Sequence, residues 1–110
     1  MNKDRNMYGL IGKIIAGPGN RDRLIAILLE NAGSMPGCLS YVLAKDSTDA
    51  DALWVTEVWD SQESHRNSLS LPAVQRAIAR GRPLIAGFGE RFETFPVGGH
   101  GLVSPDRIGE

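Results

Sequence analysis

Apolar residues recur along this chain at two different periods, and the places where the period changes mark out its elements. Residues 8–16, Tyr-Gly-Leu-Ile-Gly-Lys-Ile-Ile-Ala, are isoleucine-rich and predict a strand, which Gly17-Pro18-Gly19 breaks. Leu24, Ile25, Ile27, Leu28 and Ala32 then follow at helical spacing. They predict an amphipathic helix over 20–32, with Asn20 as N-cap, Asp22 in the first turn and Gly33 as the stop. Met35-Pro36-Gly37-Cys38 has the form of a type II turn, proline presetting φ at the second position and glycine supplying positive φ at the third. A second strand is predicted over 38–45, with Leu39, Tyr41 and Leu43 on one face, followed by a polar loop over 46–51. Residues 52–59, Ala-Leu-Trp-Val-Thr-Glu-Val-Trp, form the third strand. Asp60 and Glu63 make a capping-box pattern that opens a helix near 61–70, and Pro72 starts a further helical segment to Arg80, ended by Gly81-Arg82-Pro83. The last strand is expected over 87–96, with Phe88, Phe92 and Phe95. Residues 98–110 hold glycines and few large apolar groups and are expected to be an arm or a mobile tail, which puts the domain at 7–97.

The order β-α-β-β-α-β is the ferredoxin-like split pattern, an α+β sheet with helices on one face. Strand 52–59 shows that the other face also needs cover. Leu53, Val55, Glu57 and Trp59 share one side, and Trp54, Thr56 and Val58 share the other. Both sides are largely apolar, unlike a sheet with one wetted face. A second subunit packing sheet on sheet is the simplest cover, and Trp54, opposite Glu57, is expected under a helix.

Composition narrows the function classes. At 110 residues the chain is expected to be one domain that buries only roughly 60–65% of its unfolded surface, a deficit that homodimerisation would offset. A net charge of −1 sets up no field toward nucleic acid or anionic lipid. No apolar run reaches the roughly 18 residues of a membrane span, so no membrane partner is expected. The polar start Met1-Asn2-Lys3-Asp4-Arg5-Asn6 lacks a signal-peptide core, which points to the cytoplasm. The single cysteine, Cys38, has no internal disulfide partner and fits a reducing compartment. No metal or cofactor is expected. His65, His100 and Cys38 do not make a zinc or iron site, the acidic loop lacks EF-hand spacing, and no Walker-type phosphate loop occurs.

Three stretches carry a family resemblance: Gly37-Cys38-Leu39-Ser40-Tyr41, Glu57-Val58-Trp59-Asp60-Ser61 and Ser68-Leu69-Ser70-Leu71-Pro72. Gly17-Pro18-Gly19 before the first helix and the ending Phe95-Pro96-Val97-Gly98-Gly99 agree with them. Over about residues 7–99 the chain resembles the antibiotic biosynthesis monooxygenase family. The resemblance implies a dimeric α/β barrel, and it implies oxidation of quinols or polyketide-like aromatics by molecular oxygen without metal or flavin. Some members degrade haem instead, using a first-strand asparagine and an axial histidine in the second helical region. Here the strand position falls near Gly12 and residues 72–80 hold no histidine, which disfavours haem. Members often carry histidine where this chain has Ser68, and a hydroxyl cannot replace imidazole as a proton acceptor near neutral pH.

Cofactor-free oxygenation requires a dry pocket, an acceptor for a phenolic proton and donors for the resulting anion. Glu57 is the first candidate acceptor, since it lies among Leu53, Val55 and Trp59, where desolvation would suit it to proton transfer; the alternative is a structural pair at the dimer seam. His65, one helical turn before Ser68, is the second candidate acceptor or a solvated surface residue. Four residues are candidates for substrate contact. Trp59 would stack on the ring or belong to the core, and Tyr41 would donate to a ring oxygen or only bury its own ring. Arg91 would stabilise an oxyanion or pair with Glu90 or Glu93, and Ser68 would line the pocket. A binding barrel without turnover and an isomerase or lyase of a small ring compound are the competing readings.

Overall fold

A computed structural model describes residues 6–102. The elements follow in the order β1 (Tyr8–Ala16), α1 (Arg21–Leu29), β2 (Cys38–Lys45), β3 (Ala52–Trp59), α2 (Gln62–Ser68), α3 (Pro72–Gly81), a 3-10 turn (Arg82–Leu84) and β4 (Ile85–Thr94). The strands form one antiparallel sheet in the order β2-β3-β1-β4, which is the ferredoxin-like topology. The first three strands lie where the apolar pattern puts them. Three boundaries differ. Helix α1 stops at Leu29, and Glu30 to Gly33 continue as turns, ending on a glycine at φ +87°. Helix α2 is capped one residue later than expected, because the Ser61 hydroxyl accepts the Ser64 amide at 3.1 Å. Strand β4 begins and ends two residues early, leaving Phe95 beyond its end.

The turn before β2 forms as its sequence requires. Gly37 has φ +85° and the Cys38 amide donates to the Met35 carbonyl at 3.1 Å. A Cβ at Gly37 would also strike the Ser64 side chain at 2.6 Å, so this glycine lets the turn sit directly against α2.

The helices cover the face that carries Leu53, Val55, Glu57 and Trp59. Leu24 of α1 and Leu53 of β3 are fully buried in a cluster with Ala16 and Val55, flanked by Leu28, Tyr41 and Leu43. A second cluster joins Tyr8, Leu10 and Trp59, with Met35 and Cys38 packed against it. Trp54 therefore does not lie under a helix. It is on the opposite face, where its indole N–H donates to the Asp46 carboxylate at 2.9 Å and the Lys13 ammonium stands 5.7 Å over its ring. Asp46 also accepts from Thr48 and from the Asp49 amide, and these bonds hold its carboxyl well below the usual range. The loop after β2 is thus tied to β3 through a tryptophan that needed a polar partner rather than a helix.

On this second face Val42, Thr56, Ile11 and Phe92 form a row across all four strands. Val42 and Phe92 are each about half exposed, at 53% and 51%. Among the described residues no helix is long and apolar enough to cross a membrane. The tail expected over 98–110 is described only to Leu102, and its remainder lies outside the described residues.

Candidate functional site

The alternation of β3 sends Glu57 and Trp59 to the helix side, and the two-residue link to α2, Asp60 and Ser61, brings His65 back over them. Two adjoining hollows result. The larger, about 400 Å³, lies over the centre of the sheet between Leu10, Gly12, Ile14 and Val55, with Leu28 above and Phe88 and Arg91 at the β4 side. The smaller, about 140 Å³, is walled by Met35, Trp59, His65, Ser68 and α3. Leu28, Tyr41 and Glu57 line both, so the Glu57 carboxylate sits at the junction.

Each candidate takes a definite place around that junction. The Trp59 indole N–H donates to Glu57 Oε1 at 2.9 Å. Trp59 is only 1% exposed, so it holds the carboxylate and walls the hollow and does not present an open ring for stacking. Tyr41 is the cross-strand neighbour of Glu57. Its pKa is pushed up to about 12, first by burial and then by the Glu57 charge, so it stays a hydrogen-bond donor at any working pH. The half-buried His65 ring lies 5.5 Å from the Trp59 ring, edge-on, and 5.5 Å from the Tyr8 ring. Ser68 is buried, and its hydroxyl donates to the His65 carbonyl at 2.6 Å. That leaves it only lone pairs to offer a ligand. Arg91 reaches the larger hollow and stands 3.8 Å from Glu93, two residues along its own strand. Among the described residues no three His, Cys, Asp or Glu side chains converge as a metal would require.

Tyr8 was not singled out in the sequence, and Glu93 was named there only as a partner for Arg91. The buried Tyr8 hydroxyl donates to Glu93 Oε2 at 2.5 Å, and burial with that bond raises its pKa. Tyr8 pairs with Trp59 across β1 and β3, and β1 pairs Leu10 with Glu93. Only the register makes these residues neighbours, and one strand's alternation contains no register.

Two predictions arise here. Burial holds the His65 imidazole below its ordinary value of 6.5; Glu57 opposes this, Arg91 and Arg66 reinforce it, and Glu93 opposes it again. The unfolded chain then binds the proton more readily, so His65 costs stability as pH falls from 6.5 through its lower folded value. The expected midpoint of its ring-proton NMR titration lies below 6.5, and a midpoint at or above that value would contradict the burial. For Trp59→Phe the ring remains but the bond to Glu57 is lost. The expected loss in urea unfolding is about 1.5 kcal/mol, from a charge-assisted hydrogen bond and some volume.

The profile of the antibiotic biosynthesis monooxygenase family matches residues 7–80. A crystal structure of a candidate antibiotic biosynthesis monooxygenase from Chloroflexus aurantiacus J-10-fl is 70% identical, with TM-score 0.85, over 88% of this chain and 99% of that one. A second, from Caulobacter crescentus CB15, shares the fold at 20% identity and TM-score 0.76, over 86% and 92% of the two chains. A third, from Deinococcus radiodurans, does so at 21% and 0.69, over 88% and 99%. No match was found among proteins of curated function. The matched span holds β1 through most of α3, and with it Glu57, Trp59 and His65. On these grounds the chain belongs to the antibiotic biosynthesis monooxygenase family.

Proposed function

We propose that the protein is a homodimeric, cofactor-independent monooxygenase of a small hydroxylated aromatic. The observation that carries this reading is the Glu57 carboxylate between two largely apolar hollows. One of its oxygens is held by Trp59, and among the described residues the other accepts no hydrogen bond, which leaves it to a ligand. In the reading, Glu57 takes a proton from the bound ring compound, directly or with His65, whose lowered pKa leaves it neutral, with a free ring nitrogen to accept a proton, at neutral pH. The substrate anion passes an electron to molecular oxygen, and the two radicals combine as a peroxide anion, which takes back the proton held by Glu57 to become a hydroperoxide. Loss of water then leaves a carbonyl, so that a ring CH2 and O2 become C=O and H2O. Tyr41 and Arg91 donate to the oxygen on which charge develops.

A second subunit fits the uncovered row Val42, Thr56, Ile11 and Phe92, and sheet-on-sheet packing would bury it. The test of the function is oxygen uptake by purified protein with a panel of quinols and anthrones. Uptake that saturates with substrate supports the reading, and none across the panel removes it. Ser68, where the family often has histidine, favours a second reading: a barrel that binds such compounds without turnover. Saturable ligand binding with no oxygen uptake would select it.

A further inference from the structure

Gly12 stands at the middle of β1, on the helix face, between Leu10 and Ile14 along the strand and between Val55 and Arg91 across it. A glycine in a strand interior weakens the strand and supplies nothing to the core, so its presence calls for a steric reason. Elsewhere in the sheet that reason is visible. A Cβ on Gly9 would strike Thr94, and one on Gly89 would stand 2.8 Å from the Lys13 side chain. Gly12 has no such neighbour: a Cβ there would meet nothing within 4 Å, and its φ is not positive. The backbone would accept a side chain, and the space above it belongs to the larger hollow. Gly87, the other strand glycine with free space, is not among the residues lining that hollow.

We infer that Gly12 is the specificity-determining residue of this cavity. It leaves bare backbone as the floor on which a flat ligand lies, with Leu28 above and Glu57 at one edge. The inference rests on the reading that the cavity is the ligand site, and it adds how ligands are sorted there. A side chain at position 12 would stand where the plane of an extended ring system lies, between the sheet and Leu28. A single ring can stay at the Tyr41 and Glu57 end, where it avoids that side chain. The floor therefore selects on the length of the planar system.

The experiment compares Gly12→Ala and Gly12→Val with the parent, using two probes by calorimetry. One is 1,8-dihydroxyanthraquinone, flat and three rings long, and the other is hydroquinone, a single ring. Both variants are expected to fold, with a melting temperature equal to or above the parent's. Gly12→Val is expected to weaken the three-ring probe by about tenfold or more, Gly12→Ala by less, and neither to move hydroquinone by more than about threefold. Unchanged affinity for the three-ring probe in Gly12→Val, or equal loss of both probes, would overturn the inference. So would a parent that does not bind the three-ring probe. Failure of the oxygenase reading looks different: the probes sort by length, and no quinol consumes oxygen.

Discussion

Replacing Glu57 with glutamine is expected to lower oxygen uptake on a quinol substrate by at least about tenfold, within or approaching the 10²–10⁴-fold range of general-base catalysis. The substitution suits the question because it changes so little else. The glutamine carbonyl can still accept the Trp59 indole N–H that now binds Glu57 Oε1. Shape, cavity volume and that bond are kept, and the ability to take a proton is lost. The loss should therefore fall on kcat, with KM nearly unchanged. His65, the other candidate acceptor, lies against the same Trp59 ring. If the two residues handle one proton in turn, His65→Gln and the double variant should be less than additive. Rate and affinity equal to the parent's in Glu57→Gln, with the fold intact by circular dichroism, would leave the carboxylate a structural partner of Trp59.

The elements were more legible in the sequence than their placement. β1, β2 and β3 were readable because each is an apolar run closed by turn residues, and Gly37 was readable because a type II turn demands positive φ there. The face of Trp54 was not. Both sides of β3 are apolar, so alternation separates the two sets without saying which one the helices cover; the polar loop before the strand gives no sign that Asp46 awaits the indole. The same ambiguity hid the role of Trp59. From the sequence Trp59 reads as a stacking ring or as core, whereas its hydrogen bond to Glu57, two residues back, depends on a buried rotamer. Tyr8 with Glu93, and the open floor at Gly12, depend on the pairing of β1 with two other strands, which no local pattern encodes.

Phe92→Glu is expected to dissociate the proposed dimer while leaving the subunit folded. In the single chain Phe92 is half exposed and pairs with Ile11, in a row that runs on through Thr56 to Val42. A carboxylate there costs the isolated subunit little, since it stays in water. In a sheet-on-sheet dimer it would be buried without a partner, at several kcal/mol, and two-fold symmetry places two such charges in one interface. The dissociation constant should rise by about a thousandfold or more, read by sedimentation equilibrium, while Phe92→Leu stays dimeric. The melting temperature should fall and lose its dependence on concentration, because dimerisation no longer adds to stability by mass action. A second geometry gives the opposite result. β4 is an edge strand, and its outer backbone groups offer another route to pairing. Pairing through that edge uses main-chain N–H and C=O groups in the plane of the sheet, whereas the Phe92 side chain stands out of that plane. A Phe92→Glu variant that remains dimeric at the parent's affinity would exclude the sheet face and point to the edge.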